Sequence, residues 1–123
     1  MSKELIYHCC PAEAWRAAGA SGDYAGSADD RRDGFIHFST HAQVRTSTAK
    51  HRTGQTGLIL LVVSAEKLGP ALQWEPSRGG QLFPHLYGAL PMAAVIQAID
   101  LPLGADGLHI FPDGYPRLEA DAL

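Results

Sequence analysis

The sequence predicts an α+β fold: a strongly bent or split, mainly antiparallel β-sheet carrying small helices. Three observations predict it. Segments rich in β-branched and aromatic residues recur along the chain and stop at proline or glycine. The longest apolar run, Leu58 to Val63, has the continuous character of a strand buried on both faces. Helical stretches cluster early, and strand and helix alternate too irregularly for a doubly wound parallel sheet.

Leu5-Ile6-Tyr7-His8-Cys9-Cys10 forms the first strand and ends at Pro11, which suits the first turn of a helix from Ala12 to Ala18 closed by Gly19. Trp15 and Ala18 fall on the inner face of that helix. Ser21 to Gly34, with three glycines and many charges, reads mainly as loop with one helical turn. Phe35 to Ser39 is the second strand. Thr40 then caps a helix from His41 to about His51, with Gln43 as its capping-box partner. Val44 is the main apolar residue of that helix, so its packing face is weakly defined. A strand at Gly57 to Val63 is followed by a capped turn at Ser64 to Leu68, a strand at Ala71 to Glu75 and a loop at Pro76 to Gly80. An extended piece at Phe83 to Gly88, a helical turn at Pro91 to Ala94 and a last strand at Val95 to Leu101 complete the body. Beyond it lies an irregular tail, pinned in part by Leu108, Ile110 and Phe111. With no repeat or linker, the chain is expected to form one domain over 1–123, with a core at 4–103 and a tail at 104–123.

At 123 residues the chain can bury about two-thirds of its unfolded surface around one core. A formal charge of -3 with six histidines gives no general attraction for nucleic acid or an anionic membrane. Arg45, Lys50, His51 and Arg52 do bunch, which a solvated helix end accounts for. The charged start Met1-Ser2-Lys3-Glu4 is unlike a signal peptide, and no apolar run reaches the ~18 residues of a membrane span, so the expected location is the cytoplasm. Cys9 and Cys10 are adjacent, cannot bridge, lack zinc spacing and read as small buried residues.

Strand periodicity sorts the polar residues. Phe35, His37 and Ser39 share one face while Ile36 and Phe38 take the other. Gln73 and Glu75 oppose Leu72 and Trp74; Phe83, His85 and Tyr87 oppose Pro84 and Leu86; His8 opposes Tyr7 and Cys9. Convergence of these faces would make a cleft holding His8, His37, Ser39, Glu75, His85 and Tyr87. Each member also has a structural explanation, as a hydrogen-bonded strand histidine, a helix cap at Ser39-Thr40, or an exposed strand end at Glu75. The chain has no Gly-rich phosphate loop, no G-x-G-x-x-G, no H-E-x-x-H and no G-x-S-x-G, which weighs against an ATPase, a Rossmann dehydrogenase, a zincin and an α/β-hydrolase. Nothing in the spacing of His8, His37 and His85 favours a metal.

Ile6-Tyr7-His8, Gly34-Phe35-Ile36-His37-Phe38-Ser39-Thr40, Trp74-Glu75 and Phe83-Pro84-His85-Leu86-Tyr87-Gly88-Ala89-Leu90-Pro91 together resemble the bacterial domain-of-unknown-function family 952, from Leu5 to about Leu101. That family is itself similar, more remotely, to the ADP-ribosyltransferase superfamily. The likeness implies a split sheet clasping NAD, with His8 on a ribose hydroxyl and His37, Ser39 and Thr40 along the nicotinamide pocket. It implies that Glu75 or His85 fills the late-strand position of a catalytic glutamate, and that Tyr87 or Phe35 stacks on nicotinamide. Such enzymes carry a glycine-containing turn after the first histidine, whose backbone holds the nicotinamide amide; here Cys9 and Cys10 follow instead. Cleavage of the nicotinamide–ribose bond passes through an oxocarbenium-like state that a carboxylate such as Glu75 stabilises, while His85 shuttles a proton.

The expected catalytic residues are thus Glu75, His85 and His37, and the expected binding residues His8, Ser39, Thr40, Tyr87 and Phe35. The expected function is a nucleotide- or NAD-binding cleft, with ADP-ribosyl transfer or NAD cleavage as its chemistry. A non-catalytic nucleotide or small-molecule binding module and a histidine-based hydrolase or lyase are the alternatives.

Overall fold

A computed structural model describes residues 4–112 and 114–115. Strand β1 (Leu5–Pro11) leads into helix α1 (Ala12–Gly19), with Pro11 extended just before the first turn. Short strand β2 (Asp23–Tyr24), helix α2 (Ala28–Asp33), strand β3 (Ile36–His37) and helix α3 (Val44–Arg52) follow. Then come β4 (Leu58–Ser64), a 3₁₀ segment at Glu66–Ala71, β5 (Leu72–Pro76), β6 (Leu82–Leu86), β7 (Leu90–Pro91), a 3₁₀ turn at Met92–Ala94 and β8 (Val95–Leu101).

All pairings are antiparallel. β4 runs between β1 and β8, β6 runs between β3 and β5, and β2 pairs with β7. The segment following β3 stitches the two three-stranded sheets together. Ile36 and His37 pair with Leu86 and His85, the Phe38 amide donates to the Pro84 carbonyl at 2.9 Å, and Ser39 and Tyr7 exchange both backbone hydrogen bonds at 2.8 Å. The sheet is therefore split, with residues 36–39 passing from one half to the other.

β4 is buried at every residue, as its unbroken apolar run requires. Its alternate side chains, with those of β1, serve two cores. Ile6, Cys10, Ile59, Leu61 and Val63 join Tyr24, Ile36, Phe38, Leu86 and Leu90 on one face, against which Trp15 and Ala18 of α1 pack. Leu5, Tyr7, Leu58, Leu60 and Val62 join Val44, Leu101 and Tyr115 on the other. Full burial of each such aliphatic side chain contributes about 1.5–3 kcal/mol, so the paired strands anchor whatever is built on them.

Four local expectations are corrected. The stretch from Ser21 to Gly34 is not mainly loop: it holds β2 and six-residue α2, whose capping box uses Ser27 and Asp30. The second strand is regular only at Ile36–His37, because its partner changes after Phe38. α3 begins at Val44 and not at His41; the Gln43 side chain does accept the Thr40 amide at 3.0 Å, but residues 41–43 form a turn before the helix. In the tail, Leu108 and Ile110 are exposed, whereas Phe111 packs partly against the second core and Tyr115 is buried there. No helix among the described residues is long and apolar enough to cross a membrane.

Candidate functional site

β1 is an edge strand, and beyond the Tyr7–Ser39 bridge no other described segment pairs with its outer side. In an antiparallel ladder successive residues turn their amides alternately to the two sides. Tyr7 turns outward to Ser39, so Cys9 also turns its N–H and C=O outward, while Ala12, of the opposite parity, donates inward to Gly57 at 2.8 Å. A cleft of about 210 Å³ lies along this open edge. β1, α2, the β3–β6 pair and α3 supply its walls, through Cys9, Asp30, His37, His85, Ser47 and Arg52 among others.

His37 and His85 face each other across the β3–β6 pairing, with ring centroids 5.7 Å apart. The β5–β6 register sets Gln73 opposite His85 and Glu75 opposite Phe83, so Glu75 lies diagonal to His85 on the same face. His85 Nδ1 donates to Glu75 Oε1 at 2.8 Å, and the Tyr87 hydroxyl donates to the same oxygen at 2.7 Å. These bonds hold the Glu75 carboxyl below its ordinary value, Tyr87 contributing most, and in turn raise the Tyr87 phenol. With its proton fixed on Nδ1, a neutral His85 keeps an Nε2 lone pair, and that nitrogen has no hydrogen-bond partner among the described residues. Phe35 stacks on His85 at 4.1 Å and also meets His37 and Tyr87 at 4.5 and 5.3 Å.

His37 is held differently. Asp30 Oδ1 accepts both its backbone N–H at 3.0 Å and its ring Nδ1–H at 2.6 Å, and Asp33 Oδ2 lies 3.0 Å from Nε2. With a carboxylate at each nitrogen the ring is best accommodated as imidazolium, and the Asp30 bond is the chief cause of its raised pKa. Asp30 is 2 % exposed and its second oxygen accepts the Ser27 amide and hydroxyl at 2.7 and 3.0 Å. Burial, the largest single influence on Asp30, would raise its pKa; the donors from His37 and Ser27 outweigh it and keep the carboxylate ionised. Gly26 completes this cradle. Its φ is +99°, and a Cβ added there would stand 2.6 Å from the Asp30 Cβ.

His8 is buried and has both nitrogens in use. Nδ1 donates to the His37 carbonyl at 2.6 Å, and Nε2 accepts from the Tyr24 hydroxyl at 2.9 Å. Burial depresses its pKa in spite of Asp30, whose carboxylate is 3.6 Å away. The neutral ring thus ties β1 to β3 at the base of the cleft, and a ribose hydroxyl would have to displace Tyr24 to reach it.

Of the residues singled out from sequence, His8, His37, Ser39 and His85 line the cleft. Glu75, Tyr87 and Phe35 stand behind or beside His85 and do not line it, and Thr40 belongs to the turn before α3. Of the two candidates for the late-strand role, His85 is therefore the one that reaches the cleft, with Glu75 fixing its proton. Sequence reasoning missed Asp30, Asp33 and Tyr24, as well as Ser47 and Arg52. The Ser27-x-x-Asp30 capping spacing was a usable signal for the first of these. Burial pushes the Cys9 and Cys10 thiols up to about 11, so neither is a ready thiolate.

A model of the protein family DUF952, described as a protein of unknown function, matches residues 9–98. The chain belongs to that family. The match spans Asp30, His37, Arg52, Glu75 and His85, while His8 lies just before it. The chain is also similar to protein CC0527 from Caulobacter crescentus. The crystal structure of that protein shares 48% identity over 86% of this chain and 93% of its own, with a TM-score of 0.84. Its solution NMR structure shares 49% identity over 85% and 90% of the two chains, with a TM-score of 0.75. No curated protein matches the sequence.

Proposed function

We propose that the cleft binds a nicotinamide-bearing nucleotide and that its chemistry is ADP-ribosyl transfer or cleavage of the NAD glycosidic bond, on an ADP-ribosyltransferase-like fold. One observation carries the reading: the outer edge of β1 turns the Cys9 N–H and C=O, which have no backbone partner among the described residues, into a cleft bordered by His37 and His85. A primary carboxamide offers the matching acceptor and donor and would dock there as a single added strand residue would. The split sheet is the architecture that the sequence likeness to ADP-ribosyltransferases implies and so supports the same reading, although fold alone does not determine chemistry.

At about 210 Å³ the cleft falls below the roughly 300–1,000 Å³ of pockets that enclose a drug-sized ligand, so only one end of a dinucleotide is enveloped. His85 Nε2 accepts the proton of the attacking water or hydroxyl, Glu75 holds the ring, and nicotinamide leaves as the neutral base. The Asp30 and Asp33 carboxylates flanking His37 offset its positive charge, so that side of the cleft does not oppose the cation developing on the ribose.

The test is thermal shift with NAD, ADP-ribose and nicotinamide, joined to an assay of nicotinamide release. Ligand at a hundredfold excess over Kd would stabilise the protein by about 2.7 kcal/mol, and His85→Ala would abolish release while leaving the fold intact. No stabilisation by any of the three at millimolar concentration would overturn the reading. Stabilisation without release would instead identify a binding module. A histidine-based hydrolase is a second reading, favoured by the free Nε2 of His85; hydrolysis of a substrate without nicotinamide, lost in His85→Ala, would establish it.

A further inference from the structure

α3 presents an unusual inner face. Val44, Ser47, Thr48, His51 and Arg52 fall at i, i+3, i+4, i+7 and i+8, the spacing that places an apolar stripe against a core, and all five line the cleft. Only Val44 is apolar. The rest of the stripe carries two hydroxyls, an imidazole and a guanidinium, because it borders the cleft and not a hydrophobic layer. Arg52 and His51 are thus more than the solvated helix end that their charge bunching suggests.

The charges of the cleft single out Arg52. Arg32 is matched by Asp29 at 3.3 Å and Asp33 at 3.1 Å, and His37 by Asp30 and Asp33. Arg52, half-buried, has no ion pair among the described residues and makes one hydrogen bond, of 3.4 Å, to the side-chain oxygen of Gln55. Arg52 lines the cleft together with His8 and Cys9 of β1, and its positive charge bears on both of those groups. The three aspartates of the α2 wall are engaged by Arg32 and His37, and none of them pairs with Arg52 among the described residues. The C-terminal end of α3 brings only about half an elementary negative charge, less than the guanidinium supplies.

We propose that the cleft-facing stripe of α3, centred on the Arg52 guanidinium and including the Ser47 hydroxyl, is a phosphate-binding subsite that takes the phosphate-bearing part of a nucleotide. The guanidinium fork matches two phosphate oxygens, and the hydroxyl provides a further donor. The inference rests on the nucleotide reading for the rest of the ligand but not for the anion itself. With a carboxamide on the β1 edge, a ribose near His85 and phosphate on α3, a nicotinamide nucleotide would lie across the cleft with its anion away from the acidic α2 wall.

Isothermal titration with inorganic pyrophosphate tests the subsite directly. Wild type is expected to bind; Arg52→Gln, which keeps a polar side chain at the helix end, is expected to weaken binding at least tenfold. Arg52→Lys should recover part of the loss, and Arg16→Gln, on exposed α1, should behave as wild type. Amide shifts on adding pyrophosphate to the wild-type protein should concentrate at Ser47, Thr48 and Arg52, a measurement that does not depend on any variant folding. No pyrophosphate binding, equal binding by Arg52→Gln, or shifts gathered elsewhere would each overturn the proposal. Nicotinamide and NAD separate it from the broader reading. Pyrophosphate binding that requires Arg52, with neither nicotinamide binding nor NAD cleavage, would uphold the subsite and remove the nicotinamide reading. NAD cleavage unaffected by Arg52→Gln, with no binding of pyrophosphate, would do the reverse.

Discussion

His37 and His85 lie opposite one another on paired strands, yet each donates through Nδ1 to a different carboxylate and the second nitrogens of the two rings meet different surroundings. His37 meets Asp30 through Nδ1 and Asp33 through Nε2, whereas His85 meets Glu75 through Nδ1 and leaves Nε2 without a partner among the described residues. Adjacent titratable groups with diverging environments are how one site holds an acid and a base at the same pH.

Replacing Glu75 by Gln should release His85 from its single tautomer. Long-range ¹⁵N spectra of labelled protein are expected to show the proton on Nδ1 in wild type and a mixture in Glu75→Gln. If the cleft turns over NAD, general-base assistance of about 10²–10⁴-fold is at stake, and release of nicotinamide should drop by at least tenfold. An unchanged tautomer in the variant would show that Glu75 does not orient the ring.

The two strand histidines should respond to pH in opposite directions. The folded-state pKa of His37 is raised above 6.5, so its contribution to stability is full below 6.5 and is lost as pH rises through the folded value. That of His8 is lowered, so its contribution is present above 6.5 and is lost as pH falls through 6.5 toward the folded value. Imidazole proton shifts followed by NMR should therefore titrate His37 above 6.5, while His8 remains neutral through that point. In Asp30→Asn the His37 midpoint should move down; a midpoint that stays put would exclude the Asp30 bond as its cause.

Asp30→Ala should be among the most damaging single changes. It leaves two backbone amides, a hydroxyl and a cationic ring without their acceptor inside the fold. Because the His37 ring is 41 % exposed, solvent screens the ion pair, and the cost is that of buried donors left unsatisfied, about 1–3 kcal/mol, which urea unfolding will measure. A loss below about 1 kcal/mol, the size of an ordinary hydrogen bond, would mean that solvent readily replaces the carboxylate.

Gly26→Ala should destabilise through the same carboxylate from the other side. The added methyl meets the Asp30 side chain, and the φ of +99° is unfavourable for any L residue. A cost of about 1–3 kcal/mol is expected for the overpacking. Wild-type stability in this variant would show that residues 26–30 relax without penalty.

Tyr115 fastens the end of the described chain. It stacks on His41 at 4.4 Å, meets Tyr7 edge-on at 5.7 Å and lies under the Arg45 guanidinium at 5.4 Å. Tyr115→Ala should cost about 3 kcal/mol as an aromatic lost from a core, read from the denaturation midpoint. A change within about 0.5 kcal/mol, typical of surface sites, would mean the tail contributes little.

Alternation was the feature of the sequence that reached furthest toward the site. Period-two reading put Phe35 with His37 and Ser39, His85 with Phe83 and Tyr87, and Glu75 with Gln73, and the pairing of β3, β5 and β6 is what gathers those faces. It could not tell which members face the cleft, because diagonal register decides that Glu75 stands behind His85. Asp30 escaped for a different reason: α2 has no apolar period, and its glycine and charge content masks a helix held by its cap and by His37. The inner face of α3 escaped because an amphipathic stripe was sought in apolar residues, while the cleft asks for polar ones. β1, β4 and β8 were legible almost to the residue, β1 and β4 because burial leaves apolar runs and β8 because β-branched residues recur along Val95–Leu101.

The strand that floors the cleft also divides the interior. Even-numbered side chains of β1 enter one core and odd-numbered ones the other, and the same ladder turns the Cys9 amide toward the cleft. A slip of one position would exchange those memberships and turn that amide inward at the same moment. The recognition edge is thereby locked to the register that makes the protein fold, and it cannot be retuned by sliding the strand. Any adaptation to a ligand must come from the walls, α2 and α3, moving over a fixed floor.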